Sequence, residues 1–128
     1  LKARMGGGLP VTELEAESLD PGSFVFLWGP YAGFHALGAR GKPAEKVADE
    51  AVEDFLHYKN HRAALDRHLA DQILLYLARA EGPSAFSTEE VTSHLLTNLW
   101  VIEQFLGPTF QVQGNPGERG EITSTGGK

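Results

Sequence analysis

The sequence predicts an α/β (α+β) fold, a two-layer sandwich in which three helices pack on one face of a mixed β-sheet. Short β-type runs alternate along the chain with longer segments whose hydrophobic period is about 3.6 residues. Glycine and proline pairs separate these segments. The composition, 41% hydrophobic and 22% charged, is typical of a globular domain with its own core. The predicted order of elements is therefore β-β-α-α-β-α-β-β.

Two strand-like runs come first. Residues 11–18 alternate apolar and polar side chains imperfectly, and residues 23–28 form an apolar run rich in β-forming residues. The Asp-Pro-Gly sequence at residues 20–22 is a turn signal, so these two runs are predicted to form a hairpin. Four glycines between residues 29 and 41 predict a loop after it.

Three helical segments follow. Residues 43–60 place apolar side chains on one face and a run of carboxylates on the other, which predicts a helix with one solvated face. Residues 66–80 are apolar around more than half of the helix and are predicted to be largely buried. Ser87 and Glu90 fit a capping box that opens the third helix, and a Gly-Pro pair at residues 107–108 ends it.

The remaining segments are predicted to be strands and a loop. A short strand is expected around residues 85–86, before the third helix. After that helix, residues 109–113 alternate as a strand does, and residues 121–125 are the predicted partner strand. Residues 114–120 are the loop between them.

The chain is expected to be a single domain over residues 1–128, with a flexible lead-in at about residues 1–9 and a weakly ordered hairpin or tail at residues 114–128. It starts without Met and without a signal-like apolar region, so it is interpreted as a fragment of a longer protein. No apolar run approaches the roughly 20 residues of a membrane span. We therefore expect no membrane partner and a cytoplasmic location.

Charge and cysteine content exclude several classes of function. The 11 Lys and Arg residues against 17 Asp and Glu residues give a formal net charge of −6, which argues against a protein that tracks along nucleic acid. The chain has no cysteine. A disulfide framework, a thiolate zinc site and a cysteine nucleophile are therefore excluded.

Polar residues in the second and third helices are the candidates for chemistry. Asp71 and Gln72 lie in an otherwise apolar helix, where a charge is costly unless it has a partner. His94 lies beside the apolar stripe of the third helix. Asp71 can face solvent from a narrow polar stripe of its helix, and His94 can be a core or boundary histidine. Alternatively, the two helices can present a carboxylate and an imidazole to one pocket. In that second case the carboxylate would accept the Nδ1 proton and leave Nε2 free as a base or nucleophile.

His57 and His61 have the i,i+4 spacing of metal ligands on a helix. The sequence provides no third ligand, and the surrounding residues are typical of an exposed helix end. No metal site is therefore predicted from the residues themselves.

Several strings of residues resemble the C-terminal part of the RNA 3'-terminal phosphate cyclases. They are His-Leu-Ala-Asp-Gln-Ile-Leu-Leu at residues 68–75, Ser-His-Leu-Leu-Thr-Asn at 93–98 and Val-Ile-Glu-Gln-Phe-Leu at 101–106. The Phe-Leu-Trp run at 26–28 and the helix entry at 38–45 are similar to that family as well. The resemblance extends from about residue 10 to residue 112 and weakens beyond it.

The resemblance implies an ATP-dependent reaction that converts an RNA 3'-phosphate end to a 2',3'-cyclic phosphate. It implies that His94 attacks the α-phosphate of ATP and forms a covalent histidine–AMP, with Mg²⁺ or Mn²⁺ as the metal. His68 would lie against the adenine, Asp71 would contact a ribose hydroxyl or orient His94, and Gln72 would donate to the phosphates. Asn98 would have a structural or orienting role. ATP and RNA 3'-phosphate ends are the implied partners.

The family's N-terminal acidic and basic residues are not in this chain, so the chain alone is expected to be inactive or to adenylylate itself poorly. A truncated sheet edge is also expected to allow self-association. One alternative is a non-catalytic, cyclase-like RNA-binding or ribosome-assembly factor, although His94 stands in its motif. Another is a plain α/β interaction domain with His94 and Asp71 in its core. An enolpyruvyl transferase of similar architecture is the third, on fold alone.

Overall fold

The computed structural model describes residues 10–29 and 32–127, so the predicted lead-in at residues 1–9 lies outside the described residues. It confirms the α+β class and the order of element types, with the second predicted helix divided in two. The elements are β1 (Phe24–Trp28), β2 (Gly33–Leu37), α1 (Ala44–His61), α2 (Arg67–Gln72), α3 (Leu74–Arg79), β3 (Ser84–Thr88), α4 (Ser93–Leu106), β4 (Phe110–Gln113) and β5 (Gly120–Ser124). The chain forms two compact units, Leu1–His57 and Tyr58–Lys128.

In the first unit the hairpin differs from the prediction. Residues 11–18 have no secondary structure and are exposed, and β1 pairs instead with β2 in antiparallel register. The predicted strand at 11–18 was therefore wrong, as was the predicted loop over the residues of β2. Phe34 and Ala36 are buried while their neighbours in β2 are exposed, so β2 has the two-residue alternation of a half-buried strand. The glycines around it mark the ends of the strand, not one continuous loop.

The first predicted helix is confirmed as α1. Val47, Ala51 and Val52 are its buried residues. Within the first unit the Phe55 ring contacts the Phe34 ring edge-to-face, with centroids 5.8 Å apart, and this contact packs α1 against β2. None of the helices in the described part of the chain combines the length and the hydropathy that crossing a bilayer requires.

The second unit contains a three-stranded sheet of order β3-β5-β4, and the predicted pairing of the last two strands is confirmed. Among residues 10–29 and 32–127 the paired strands are antiparallel and lie in two separate sheets, so the single mixed sheet of the prediction is corrected. Short connections such as residues 114–119 favour antiparallel neighbours, because a parallel pair needs a long crossover. At Gly120 a Cβ atom would lie 2.3 Å from the Cγ2 of Val91, so this close approach requires glycine.

Helices α2, α3 and α4 pack on one face of that sheet. Side chains from all three helices, from β5 and from the loop before α4 form one buried cluster: Ala70, Leu74, Val91, Leu95, Leu99 and Ile122. The predicted second helix is interrupted at Ile73, which is still near-helical (φ −80°, ψ −17°), so α3 continues almost directly from α2. Leu75 and Tyr76 of α3 are exposed, so this segment is less buried than predicted.

Helix α4 begins later than the predicted capping box. Thr92 is the N-cap, and its hydroxyl accepts a hydrogen bond of 3.1 Å from the backbone N–H of Leu95. Ser87 lies in β3, where its hydroxyl accepts a 2.9 Å bond from the N–H of Ala64. The capping-box prediction was therefore wrong, because Ser87 stabilises the edge of the sheet. The predicted end is confirmed at Gly107, whose φ of 78° favours glycine.

Candidate active site

Helices α2 and α4 bring three of the four predicted site residues to one pocket. Its volume is about 390 Å³, and its lining residues are Arg67, His68, Asp71, Glu90, Thr92 and His94. His68 and Asp71 are three residues apart and share one face of α2. His94 lies in the first turn of α4, directly after the loop that connects β3 to that helix. Two carboxylates, two imidazoles and a guanidinium thus line one open cleft.

His94 is exposed, while Leu95 and Leu99 are the buried residues of α4. The alternative in which His94 is a sealed core histidine is therefore wrong. An exposed imidazole in a cleft is accessible to a substrate, and a neutral imidazole nitrogen is a good nucleophile near neutral pH.

Asp71 is anchored from α4. The side-chain amide of Asn98 donates a hydrogen bond to Oδ1 of Asp71. Asn98 follows His94 by four residues, so both residues lie on the α4 face that is turned to α2. The bond supports the predicted orienting role of Asn98, since it ties the carboxylate of one helix to the helix that carries His94.

Gln72 lies away from His94. It lines a second cavity of about 420 Å³ between α3 and α4, whose lining is largely apolar. Asp71 lines both cavities, so the two adjoin at this carboxylate. The residue after Asp71 is rotated by about 100° around a helix axis, which explains why neighbours in sequence line different cavities.

Arg67, Glu90 and Thr92 also line the pocket, although they were not among the predicted site residues. The guanidinium of Arg67 lies 3.5 Å from the carboxylate of Glu90, an ion pair that joins the start of α2 to the loop before α4. The position of Arg67 could have been predicted from helical spacing, because Arg67 precedes Asp71 by four residues and lies on the same face of α2. No comparable signal connected Glu90 to this face, because that contact is made between segments far apart in sequence.

Two buried carboxylates, Asp66 and Glu89, directly precede the pocket residues Arg67 and Glu90 in the chain. The phenol of Tyr58 lies close to both and donates a 3.3 Å hydrogen bond to the carbonyl of Ala64. Burial, followed by the negative charges of Asp66 and Glu89, raises the pKa of Tyr58 above its ordinary value. Two buried carboxylates and a phenol are thus grouped beside the first turn of α2.

The sequence of the chain matches a known protein family over most of its length. A sequence model of the family described as RNA 3'-terminal phosphate cyclase matches residues 3–112. The chain belongs to this family. All six pocket residues lie inside the matched range, and the residues beyond 112, where the resemblance was expected to weaken, lie outside it.

Individual cyclases agree with the family match. The chain is 44% identical to the RNA 3'-terminal phosphate cyclase of Thermococcus onnurineus over 120 residues, which is 91% of this chain and 35% of that protein. It is 42% identical to the cyclase of Pyrococcus furiosus, over 90% of this chain and 35% of the relative. The corresponding values for Pyrobaculum neutrophilum are 45%, 87% and 34%. The chain thus spans about a third of the length of these cyclases.

Four of the six pocket residues, His68, Asp71, Glu90 and His94, have side chains of the types that bind metals. Asp71 and Glu90 are the carboxylates of the lining, and both already have protein partners. No three His, Cys, Asp or Glu side chains converge as a metal site among the described residues. His57 and His61 are both partly buried on α1.

Proposed function

We propose that the protein is an ATP-dependent RNA 3'-terminal phosphate cyclase with His94 as its nucleophile. One observation carries the proposal: in a chain of the cyclase family, the exposed His94 imidazole opens into a pocket with Arg67, His68 and Asp71. An imidazole, a cation and a carboxylate are the groups that nucleophilic attack on a nucleotide phosphate needs.

The proposed reaction has three steps. A ring nitrogen of His94 attacks the α-phosphorus of ATP, so that an N–P bond forms and pyrophosphate leaves. An oxygen of the RNA 3'-phosphate then attacks the phosphorus of the bound AMP. A P–O bond forms, the N–P bond breaks and the imidazole of His94 is released. The vicinal 2'-hydroxyl attacks the 3'-phosphorus, loses its proton and expels AMP, which leaves a 2',3'-cyclic phosphate. Adenylylation is needed because an unmodified phosphate oxygen is a poor leaving group.

The proposed binding roles follow the pocket lining. His68 stacks on the adenine, since an aromatic ring pairs well with the face of a base. Asp71 takes a ribose hydroxyl or orients His94, and its bond from Asn98 supports a fixed carboxylate. Gln72 donates to the nucleotide phosphates from the adjoining cavity. Arg67 supplies positive charge when its pair with Glu90 opens to admit an anion.

Mg²⁺ or Mn²⁺ is proposed as the metal. Both prefer oxygen ligands, and Mg²⁺ is commonly held by one or two carboxylates together with substrate phosphates. Asp71 and Glu90 are the two carboxylates of the pocket, so they are the residues that would hold the metal ion. When bound, the metal neutralises phosphate charge.

The proposed partners are ATP and RNA 3'-phosphate ends, in the cytoplasm. A net charge of −6 is compatible with this substrate, since a cyclase needs to grasp only a terminal phosphate and its nearest nucleotides. Self-association of the chain through a free sheet edge is a further proposal about its state.

The 128-residue chain by itself is expected to adenylylate poorly or not at all. Among the described residues that line the pocket, Arg67 is the single arginine or lysine, and it is already paired with Glu90. A triphosphate carries several negative charges and needs more compensation than this. The measurement is incubation of the chain with α-labelled ATP and Mg²⁺. Stable label on the chain, lost in His94→Ala, would contradict the expectation.

The activity itself is tested with the whole natural polypeptide and an RNA that ends in a 3'-phosphate. With ATP and Mg²⁺, the terminal phosphate is expected to become resistant to phosphatase. A matched RNA with a 2'-deoxy terminal nucleotide has no nucleophile for the last step, so it should accumulate with AMP on its 3'-phosphate. Failure of both RNAs to react would overturn the proposal in favour of a non-catalytic relative.

A further inference from the structure

Glu89 is a buried charged residue with no assigned role in the reaction. It lies between β3 and α4, and only 2% of it is exposed. Its Oε1 accepts a 3.0 Å hydrogen bond from the backbone N–H of Arg67, the first residue of α2. Its own N–H donates to the carbonyl of Leu65 at 3.3 Å. Glu89 therefore joins the segment before α2 to the loop that leads to His94.

Two carboxylates accept hydrogen bonds from the start of α2, one from a neighbouring residue and one from a distant segment of the chain. Asp66, the N-cap, accepts hydrogen bonds from the N–H groups of His68 and Leu69 at 2.9 and 3.0 Å. This cap joins residues within the same turn, so it does not fix the position of that turn relative to α4. The bond from Arg67 to Glu89 joins residues 22 apart in sequence, so it fixes where the turn lies relative to α4.

The geometry around the pocket depends on that second bond. His68 and Asp71 follow Arg67 within little more than one turn of α2, and His94 follows Glu89 by five residues. The first N–H groups of a helix have no partner within the helix, so the N–H of Arg67 depends on an acceptor from another segment of the chain. Loss of the acceptor would also leave the N–H of Arg67 without its partner in a partly buried position, which favours a shift of the turn.

We propose that the buried carboxylate of Glu89 is a positioning residue of this site, which holds the first turn of α2 so that His68 and Asp71 face His94. The consequence for catalysis rests on the proposed function. Glu89 itself touches no substrate, since it is not among the pocket lining residues. It acts through Arg67.

The test compares four variants of the whole polypeptide in the rate of AMP attachment from labelled ATP. Glu89→Ala is expected to slow attachment by roughly 10- to 100-fold, the range expected when a reactive group is misplaced by about 1 Å. Glu89→Gln keeps an acceptor oxygen at the same reach and should stay within about threefold of wild type. Glu89→Asp keeps the charge but is one methylene shorter, so it should be slow. It also replaces the alanine variant if that protein does not fold.

Glu103→Ala is the matched control. Glu103 also accepts a backbone N–H, from Phe110 at 3.5 Å, but it does so at the far end of α4 and outside the pocket. Its loss should lower stability and leave the rate of AMP attachment within about twofold of wild type. An equal slowing in Glu103→Ala and Glu89→Ala would show general loosening and would overturn the positioning role.

A second readout separates this proposal from the proposed function. In nucleotide-free protein, NMR should show faster amide exchange at Arg67 and shifted imidazole signals of His68 and His94 in Glu89→Ala and Glu89→Asp, with wild-type behaviour in Glu89→Gln. If wild type takes up no AMP but these signals change as described, the proposed function fails and the positioning role stands. Unchanged signals in the alanine and aspartate variants would overturn the positioning role. Signals in the glutamine variant that change as much as in those two variants would overturn it as well.

Discussion

Replacement of His94 by alanine is expected to abolish AMP attachment and RNA cyclisation, with a loss of about three orders of magnitude or more. Removal of a covalent nucleophile typically has an effect of this size or larger, because no neighbouring group forms the same intermediate. His68 is the other imidazole of the pocket, but it lies on the facing helix α2. The measurement is the amount of label retained from α-labelled ATP, together with formation of phosphatase-resistant RNA ends.

His35→Ala is the control for this experiment. His35 is an exposed histidine of β2 and does not line the pocket, so its removal changes histidine content without touching the site. Label and cyclisation should stay at the wild-type level. A His94→Ala protein that still takes up AMP at the wild-type rate would exclude His94 as the nucleophile.

Replacement of Leu95 by alanine is expected to lower the free energy of unfolding by about 2–5 kcal/mol, the usual range for a buried leucine. Leu95 is fully buried in the cluster that joins α2, α3 and α4 to β5. Its truncation removes apolar contacts and leaves a cavity directly below the turn that carries His94. Urea denaturation followed by circular dichroism measures the change.

Leu75→Ala is the matched control for the core. Leu75 lies on α3 and is 55% exposed, so the same truncation should cost about 1 kcal/mol or less. Equal losses in the two variants would mean that Leu95 does not lie in the core of this unit. A loss for Leu95→Ala below about 1 kcal/mol would have the same meaning.

The sequence predicts the helices of this fold better than its first strands. Helix α1 has a regular 3.6-residue apolar stripe that only a helix satisfies, and α4 ends at a glycine with positive φ. The strand predicted at residues 11–18 has a comparable alternation but pairs with no segment among the described residues. A strand is stabilised by pairing with another segment, so local alternation alone does not decide which run is chosen.

In the candidate site, too, local sequence patterns predict some residues and not others. The sequence singles out Asp71 and His94 through polar residues within apolar helices, and the resemblance adds His68. Arg67 follows from helical spacing once α2 is known. Glu89 and Glu90 do not follow from any pattern, because their contacts with the start of α2 are made by chain segments 22 and 23 residues away.

The central claim, that His94 carries the AMP, is tested most directly by locating the modification. Trypsin cleavage after Arg79 and Arg119 releases residues 80–119, in which His94 is the sole histidine and there is no lysine. His68 falls in a separate peptide that ends at Arg79. After incubation of the whole polypeptide with ATP and Mg²⁺, mass spectrometry should find AMP on the 80–119 peptide, in a linkage labile to acid and stable to alkali. AMP on the His68 peptide, on a lysine, or in an acid-stable linkage would contradict the claim.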